Sequence, residues 1–123
     1  MEKPKILYVD DEPLNLMLFK ANLNKTHEVI TADSGVSGLK IIENTKDFCC
    51  VISDMRMPNM SGIEFVKAAS KILPDISYYI LSGFDISEEI QEALDSRLIQ
   101  KYFRKPFNLK KIAGEISCTT CCN

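Results

Sequence analysis

The residues with chemical potential fall where apolar runs of the chain stop. The run through Cys49, Cys50, Val51 and Ile52 stops at Ser53-Asp54, and a proline-bearing loop follows, Met55-Arg56-Met57-Pro58-Asn59. An earlier run, Lys5 to Val9, stops at Asp10-Asp11-Glu12. Later runs stop at Ser82-Gly83 and, after Phe103, at Arg104-Lys105-Pro106. An acid that closes an apolar run is a carboxylate at the carboxyl end of a strand. In an open parallel α/β sheet, ligands bind at that end.

Asp10, Asp11 and Asp54 would crowd one rim of such a sheet and repel one another. Either one takes up a proton or a cation binds among them. Carboxylate oxygens are hard ligands, which suits Mg²⁺. A cation that neutralises phosphoryl oxygens lets Asp54 approach phosphorus as a nucleophile. Lys105 adds a point charge for the phosphoryl group, and the Ser82 hydroxyl can donate to it. Each feature alone is commonplace, since acid pairs often sit in loops and serines often follow strands. Their joint occurrence, in this order and each at a strand end, carries the reading.

These residues need elements to hold them. Lys5–Val9 is continuous rather than alternating, which predicts a buried parallel strand, β1. Pro13 suits the first turn of a helix, and Leu14, Met17, Leu18 and Ala21 recur at helical spacing, giving α1, ended by Asn24-Lys25. His27–Thr31 is β2. Ser34 or Asp33 caps α2, whose apolar stripe is Val36, Leu39 and Ile42. Gly38 inside it costs about 1 kcal/mol relative to alanine and marks close packing. The run ending at Asp54 is β3. Met60 to Ile72 is α3, with Ser61 and Glu64 in the pattern of a capping box and Ile63, Val66 and Ile72 facing inward. Ile76–Leu81 is β4. Ser87 caps α4, Glu88–Asp95, with acids where the helix dipole favours them. Ile99–Phe103 is β5, and Asn108 caps a last helix, α5, carrying Leu109, Ile112, Ala113 and Ile116. Strict alternation of strands and helices specifies a parallel sheet covered on both faces, with right-handed crossovers.

The bulk properties narrow the class. The chain has 123 residues, 46% of them hydrophobic, enough for one domain with a single packed core. A net charge of −2 argues against nucleic acid as a direct partner, because phosphate binding needs a basic face. The amino terminus shows no secretory h-region and no apolar run approaches the roughly 20 residues of a membrane span, so a soluble, cytoplasmic protein is expected. Cys49 and Cys50 are expected as small core residues. Cys118, Cys121 and Cys122 crowd the last six residues. A CxxC can be a zinc half-site or a redox pair, but no second pair is near, and residues 118–123 are expected to form an unstructured tail. A disulfide framework is not expected in an intracellular chain.

With these motifs, Tyr8–Pro13 (YVDDEP), Ser53–Gly62 (SDMRMPNMSG), Leu81–Gly83 (LSG) and Tyr102–Phe107 (YFRKPF), the chain resembles a response-regulator receiver domain, the CheY-like phosphoacceptor module of two-component signalling. The resemblance covers residues 4–117. It implies a single doubly wound (βα)5 flavodoxin-like fold with a five-stranded parallel sheet in the order 2-1-3-4-5. It implies Asp54 as phosphoacceptor. It implies Mg²⁺ held by Asp11, Asp54 and the main-chain carbonyl of Arg56, with Asp10 acting mostly through water. Ser82 would bind the phosphoryl group, Lys105 would pair with it, and Tyr102 would be the aromatic that moves with Ser82 on switching. Arg56 and Phe84, two residues beyond Asp54 and Ser82, would tune phosphoryl lifetime. The implied partners are a sensor histidine kinase or phosphotransfer protein, a downstream effector protein or domain, and a second copy through an α4-β5-α5 face.

A competing class is an aspartyl-phosphate phosphatase of similar fold. Such enzymes need an acid two residues past the nucleophile, and here Arg56 stands there. No G-x-G-x-x-G or P-loop sequence follows any strand, which argues against a nucleotide or flavin binder. A receiver that no longer accepts phosphate is a third reading, but every expected position is filled.

Overall fold

In the computed structural model of the protein, the described residues are 4–83, 87–104 and 112. Five parallel strands form one sheet in the order β2-β1-β3-β4-β5. They are β1 (Lys5–Val9), β2 (Glu28–Ala32), β3 (Cys50–Asp54), β4 (Ser77–Ser82) and β5 (Lys101–Arg104). The helices between them are α1 (Pro13–Leu23), α2 (Gly35–Asn44), α3 (Gly62–Ile72) and α4 (Glu88–Asp95). The expected α5 lies outside the described residues except for Ile112, which is buried.

The sheet is central because β1 and β3 are apolar on both faces. Every residue of β3 is buried, as a strand flanked by β1 and β4 and covered above and below must be. Successive side chains alternate between two cores. Leu7, Val9, Val51 and Ile80 join Ile63, Phe65, Val66 and Ile90 on one face. Ile6, Tyr8, Cys50, Ile52 and Tyr79 join Phe19, Leu23 and Ile112 on the other.

The caps follow the sequence. Ser34 accepts from the Ser37 amide, Ser87 accepts from the Ile90 amide, and Ser61 with Glu64 forms a full capping box at α3. Gly38 sits where a Cβ would come within 2.8 Å of Phe65 Cε1, which confirms the close packing of α2 on α3.

Two apolar faces differ from expectation. Leu14, Met17 and Leu18 of α1 are exposed, at 62%, 66% and 44%. Ala21 is exposed too, and Phe19 and Leu23 face the sheet instead. This helix is apolar nearly all round, and the ring stack of Phe19 on Tyr8 decides which side goes in. On α2, Val36 is exposed, and Gly35, Gly38 and Ile42 are buried. Cys50 is a buried thiol, whereas Cys49 is disulfide-bonded, so only one of the pair is simple core filler. β2 and β4 start one residue later than expected and β5 two, which makes Ser82 the last residue of β4 rather than the first after it.

Candidate functional site

The strand register sets up the site. Val9 pairs with Ser53 across β1 and β3, so the next residues, Asp10 and Asp54, stand side by side at the carboxyl ends of the two strands. Asp54 pairs with Leu81, and the Met55 amide donates to the Leu81 carbonyl at 2.8 Å, which brings Ser82 to the same rim. One carboxylate oxygen from each of Asp10, Asp11 and Asp54 lies within 4.8 Å of the others. Asp10 and Asp54 are buried and Asp11 is exposed. At an effective dielectric of about 20, two unit charges at 4.8 Å repel by roughly 3–4 kcal/mol. That exceeds the roughly 1.5–3 kcal/mol of one hydrogen bond to a charged group. Two buried carboxylates and a third at the surface, all hard oxygen donors, therefore fit a small divalent cation such as Mg²⁺.

The chain offsets part of that repulsion itself. The Tyr8 hydroxyl donates to Asp10 Oδ2 at 2.6 Å, Asn15 Nδ2 donates to the same oxygen at 3.2 Å, and the Glu12 amide donates to Oδ1 at 3.0 Å. Burial first, then the hydrogen bond to Asp10 and the charges of Asp10 and Asp54, push the Tyr8 phenol well above its ordinary pKa. It stays protonated and stays a donor. Sequence reasoning missed Tyr8 and Asn15. The signal was there for Tyr8: residues two apart on a strand share a face, so a phenol at 8 must meet the acid at 10.

The loop after Asp54 is fixed by its backbone. Asn59 adopts the left-handed conformation with φ 70, which asparagine tolerates. The Gly62 amide donates to the Met55 carbonyl at 2.8 Å, and the Ser53 hydroxyl donates to the Asp54 carbonyl at 2.9 Å. Gly62 lies so close to the Asp54 carbonyl that a Cβ there would overlap it. This glycine is a spatial requirement of the site, not a loop filler.

Arg56 is exposed, and its side chain is no candidate general acid. An open hollow of about 610 Å³ lies between this loop and the start of α4, lined by Met55, Met57, Pro58, Ser82, Ser87 and Ile90 among others. Ile80 pairs with Tyr102 and Ser82 with Arg104, so Ser82 and the half-buried Tyr102 share one face of the sheet on adjacent strands. Lys105 and Phe84 lie outside the described residues, as do Cys118, Cys121 and Cys122.

A family model described as the response regulator receiver domain matches residues 6–117. The chain belongs to the response regulator receiver domain family. This receiver is 29% identical over 111 residues to the response regulator receiver protein CpdR of Brucella abortus, covering 90% of the chain and 91% of the relative. It is 31% identical over 102 residues to the hydrogenase transcriptional regulatory protein HoxA of Bradyrhizobium diazoefficiens, covering 83% of the chain but 21% of the relative. The receiver thus spans about a fifth of HoxA and nearly all of CpdR. Among solved structures, a response regulator receiver domain protein from Clostridium thermocellum superposes with a TM-score of 0.87 at 33% identity, covering 94% of this chain and 93% of that one. The chemotaxis protein CheY4 of Vibrio cholerae superposes with a TM-score of 0.85 at 27% identity, covering 95% and 98%. No helix among the described residues of the receiver is long and apolar enough to cross a membrane.

Proposed function

We propose that this receiver takes a phosphoryl group onto Asp54 from the phosphohistidine of a histidine kinase or phosphotransfer protein, in the cytoplasm. A carboxylate oxygen of Asp54 attacks phosphorus, the N–P bond breaks, and the histidine nitrogen keeps the electron pair and takes a proton. Hydrolysis of the resulting acyl phosphate adds water, releases inorganic phosphate and restores the carboxylate. The observation that carries this reading is the placement of Asp54 at the end of the fully buried β3, with Asp10 and Asp11 within 4.8 Å.

Asp11, Asp54 and the main-chain carbonyl of Arg56 would hold Mg²⁺, with Asp10 reaching it through water. When bound, the ion neutralises phosphoryl oxygens and so lowers the barrier to approach of a carboxylate. Ser82 donates to the phosphoryl group, and Lys105 pairs with it. Arg56 and Phe84 flank the acyl phosphate and govern water access to it. Residues 4–117 are the receiver, and 118–123 a tail.

The exposed Leu14-Met17-Leu18 stripe lies on the helix that leaves the acid cluster, which favours a protein donor over a small molecule alone. The new charge on Asp54 biases a two-state equilibrium in which Ser82 moves toward the phosphoryl group and Tyr102 turns inward. The α4-β5-α5 face then meets an effector or a second copy. Tyr102→Ala should keep Asp54 phosphorylation and lose output; unchanged output would remove Tyr102 from the switch.

The test of the chemistry is an intact mass after incubation with a small-molecule phosphodonor and Mg²⁺, beside an Asp54→Asn control. A single phosphate adduct that needs Mg²⁺ and vanishes in the control is expected. An adduct that survives in the control would refute Asp54 as the acceptor.

A further inference from the structure

Asp10 is fully buried, and its charge is already engaged by the chain. Tyr8, Asn15 and the Glu12 amide aim three donors at its two oxygens. A carboxylate has about four lone-pair directions, so these donors take up most of its accepting capacity. The Tyr8 contact is the shortest of the three, at 2.6 Å. Its ring is also held in place, stacked on Phe19 with centroids 4.0 Å apart and planes 10° from parallel. The hydroxyl cannot swing away without breaking that stack.

A divalent cation among Asp10, Asp11 and Asp54 would draw on the same negative charge. Two positive partners of one anion oppose each other: each is worth less when the other is present. We propose that Tyr8 is a positioning residue that competes with the divalent cation for Asp10, and so weakens and sets the cation affinity of the acid cluster. This rests on the reading of that cluster as a Mg²⁺ site. Tyr8 lets the three carboxylates stand together without a cation, by supplying hydrogen-bond donation where the cation would supply charge. The same donation makes the cation easier to lose.

The sign follows from a cycle. Tyr8→Phe removes the hydroxyl but keeps the ring, its volume and the Phe19 stack. The orientation of Asp10 survives, because the Glu12 amide and Asn15 still hold one oxygen each. In the cation-free protein Asp10 loses a full charge-assisted hydrogen bond. In the cation-bound protein it loses less, because the cation already shares its charge. The variant therefore gains more from the cation than the parent does.

The experiment is calorimetric titration of MgCl₂ into the full chain, paired with thermal melts with and without saturating Mg²⁺. Tyr8→Phe should tighten the Mg²⁺ dissociation constant by about fivefold, the low end of couplings between linked sites. Its melting temperature should fall without Mg²⁺ and recover most of the loss with it. A purely structural role for Tyr8 would lower both melts equally and leave the dissociation constant alone. Asn15→Ala removes a second donor from the same oxygen at a half-buried position, and should tighten binding in the same direction by less. It serves as the test if Tyr8→Phe fails to fold. Unchanged or weaker binding in a folded variant overturns the proposal while the Mg²⁺ reading stands. A parent that takes up no Mg²⁺ overturns both, with Asp11→Asn giving the baseline for absent binding.

Discussion

Gly62→Ala tests whether the loop after β3 is built around the Asp54 backbone. An added Cβ would overlap the Asp54 carbonyl oxygen and stand 3.0 Å from both Ile80 Cδ1 and Met55 Cα. Two of these neighbours are backbone, so they cannot rotate away, and the strand end or the helix start must move. Overpacking of this kind costs about 1–3 kcal/mol. Alanine returns at most about 1 kcal/mol of helix propensity, and less at the first helical position. The net loss should be about 1–2 kcal/mol, or roughly 3–10 °C in Tm for a domain of this size. Gly83→Ala is the matched control. Among the described residues a Cβ there meets nothing within 4 Å, and its φ is not positive. It should be neutral or stabilise by about 0.4–1 kcal/mol through the unfolded chain. Urea denaturation of both variants, with the rate of Asp54 phosphorylation as second readout, separates the cases. Gly62→Ala should be less stable and slower, because the carboxylate moves with its own carbonyl. Equal stability of the two variants would refute the argument that space, rather than flexibility, demands glycine at 62.

Other outcomes follow from local features. Ser61→Ala removes the capping box of α3 and should cost about 1 kcal/mol in denaturant melts, with little change in Mg²⁺ affinity. Arg97 holds a left-handed φ of 63, so Arg97→Gly should leave stability unchanged or raise it by up to about 1 kcal/mol. His27 is the only histidine, and burial lowers its pKa below the usual value. Below pH of about 6.5 the unfolded chain therefore binds a proton that the folded chain refuses, so stability should fall as pH drops through that window. Denaturant midpoints between pH 7.5 and 5.5 should show that slope and lose it in His27→Gln; an identical slope in the variant would exclude His27 as its source.

Much of the fold was legible because β1 and β3 are continuous apolar runs closed by acids. Those acids stand at the rim for the same reason. The serine caps were legible because a hydroxyl before a helix has one evident use. The inward face of α1 was not. Leu14, Met17, Leu18 and Ala21 have helical spacing, but so do Leu16, Phe19 and Leu23, and periodicity cannot choose between two interleaved stripes. Tertiary packing chose the one with the aromatic, which reaches Tyr8. The meeting of Tyr8 with Asp10, by contrast, follows from the two-residue period of a strand and was legible. Strand starts slipped by a residue or two because apolar residues such as Ile76 and Ile99 pack against the core before pairing begins. Gly62 was legible as part of a motif, but its closeness to the Asp54 carbonyl depends on how the loop folds back.

The two ends of the sheet's work differ in how deeply they are built in. Every residue of β3 is buried and Cys50 to Ser53 are paired on both sides, while β5 buries only Phe103 and exposes Lys101 and Arg104. Amide exchange should follow that difference, because buried core strands open only with the whole domain and thinly covered ones open locally. The amides of Val51 to Asp54 should then report global stability, and those of Tyr102 to Arg104 a smaller local opening. The acceptor would sit on the most durable strand and the proposed readout on the most yielding. Mild heat or a weakly destabilising substitution would therefore blur what a partner sees well before it harms the site that takes the phosphoryl group.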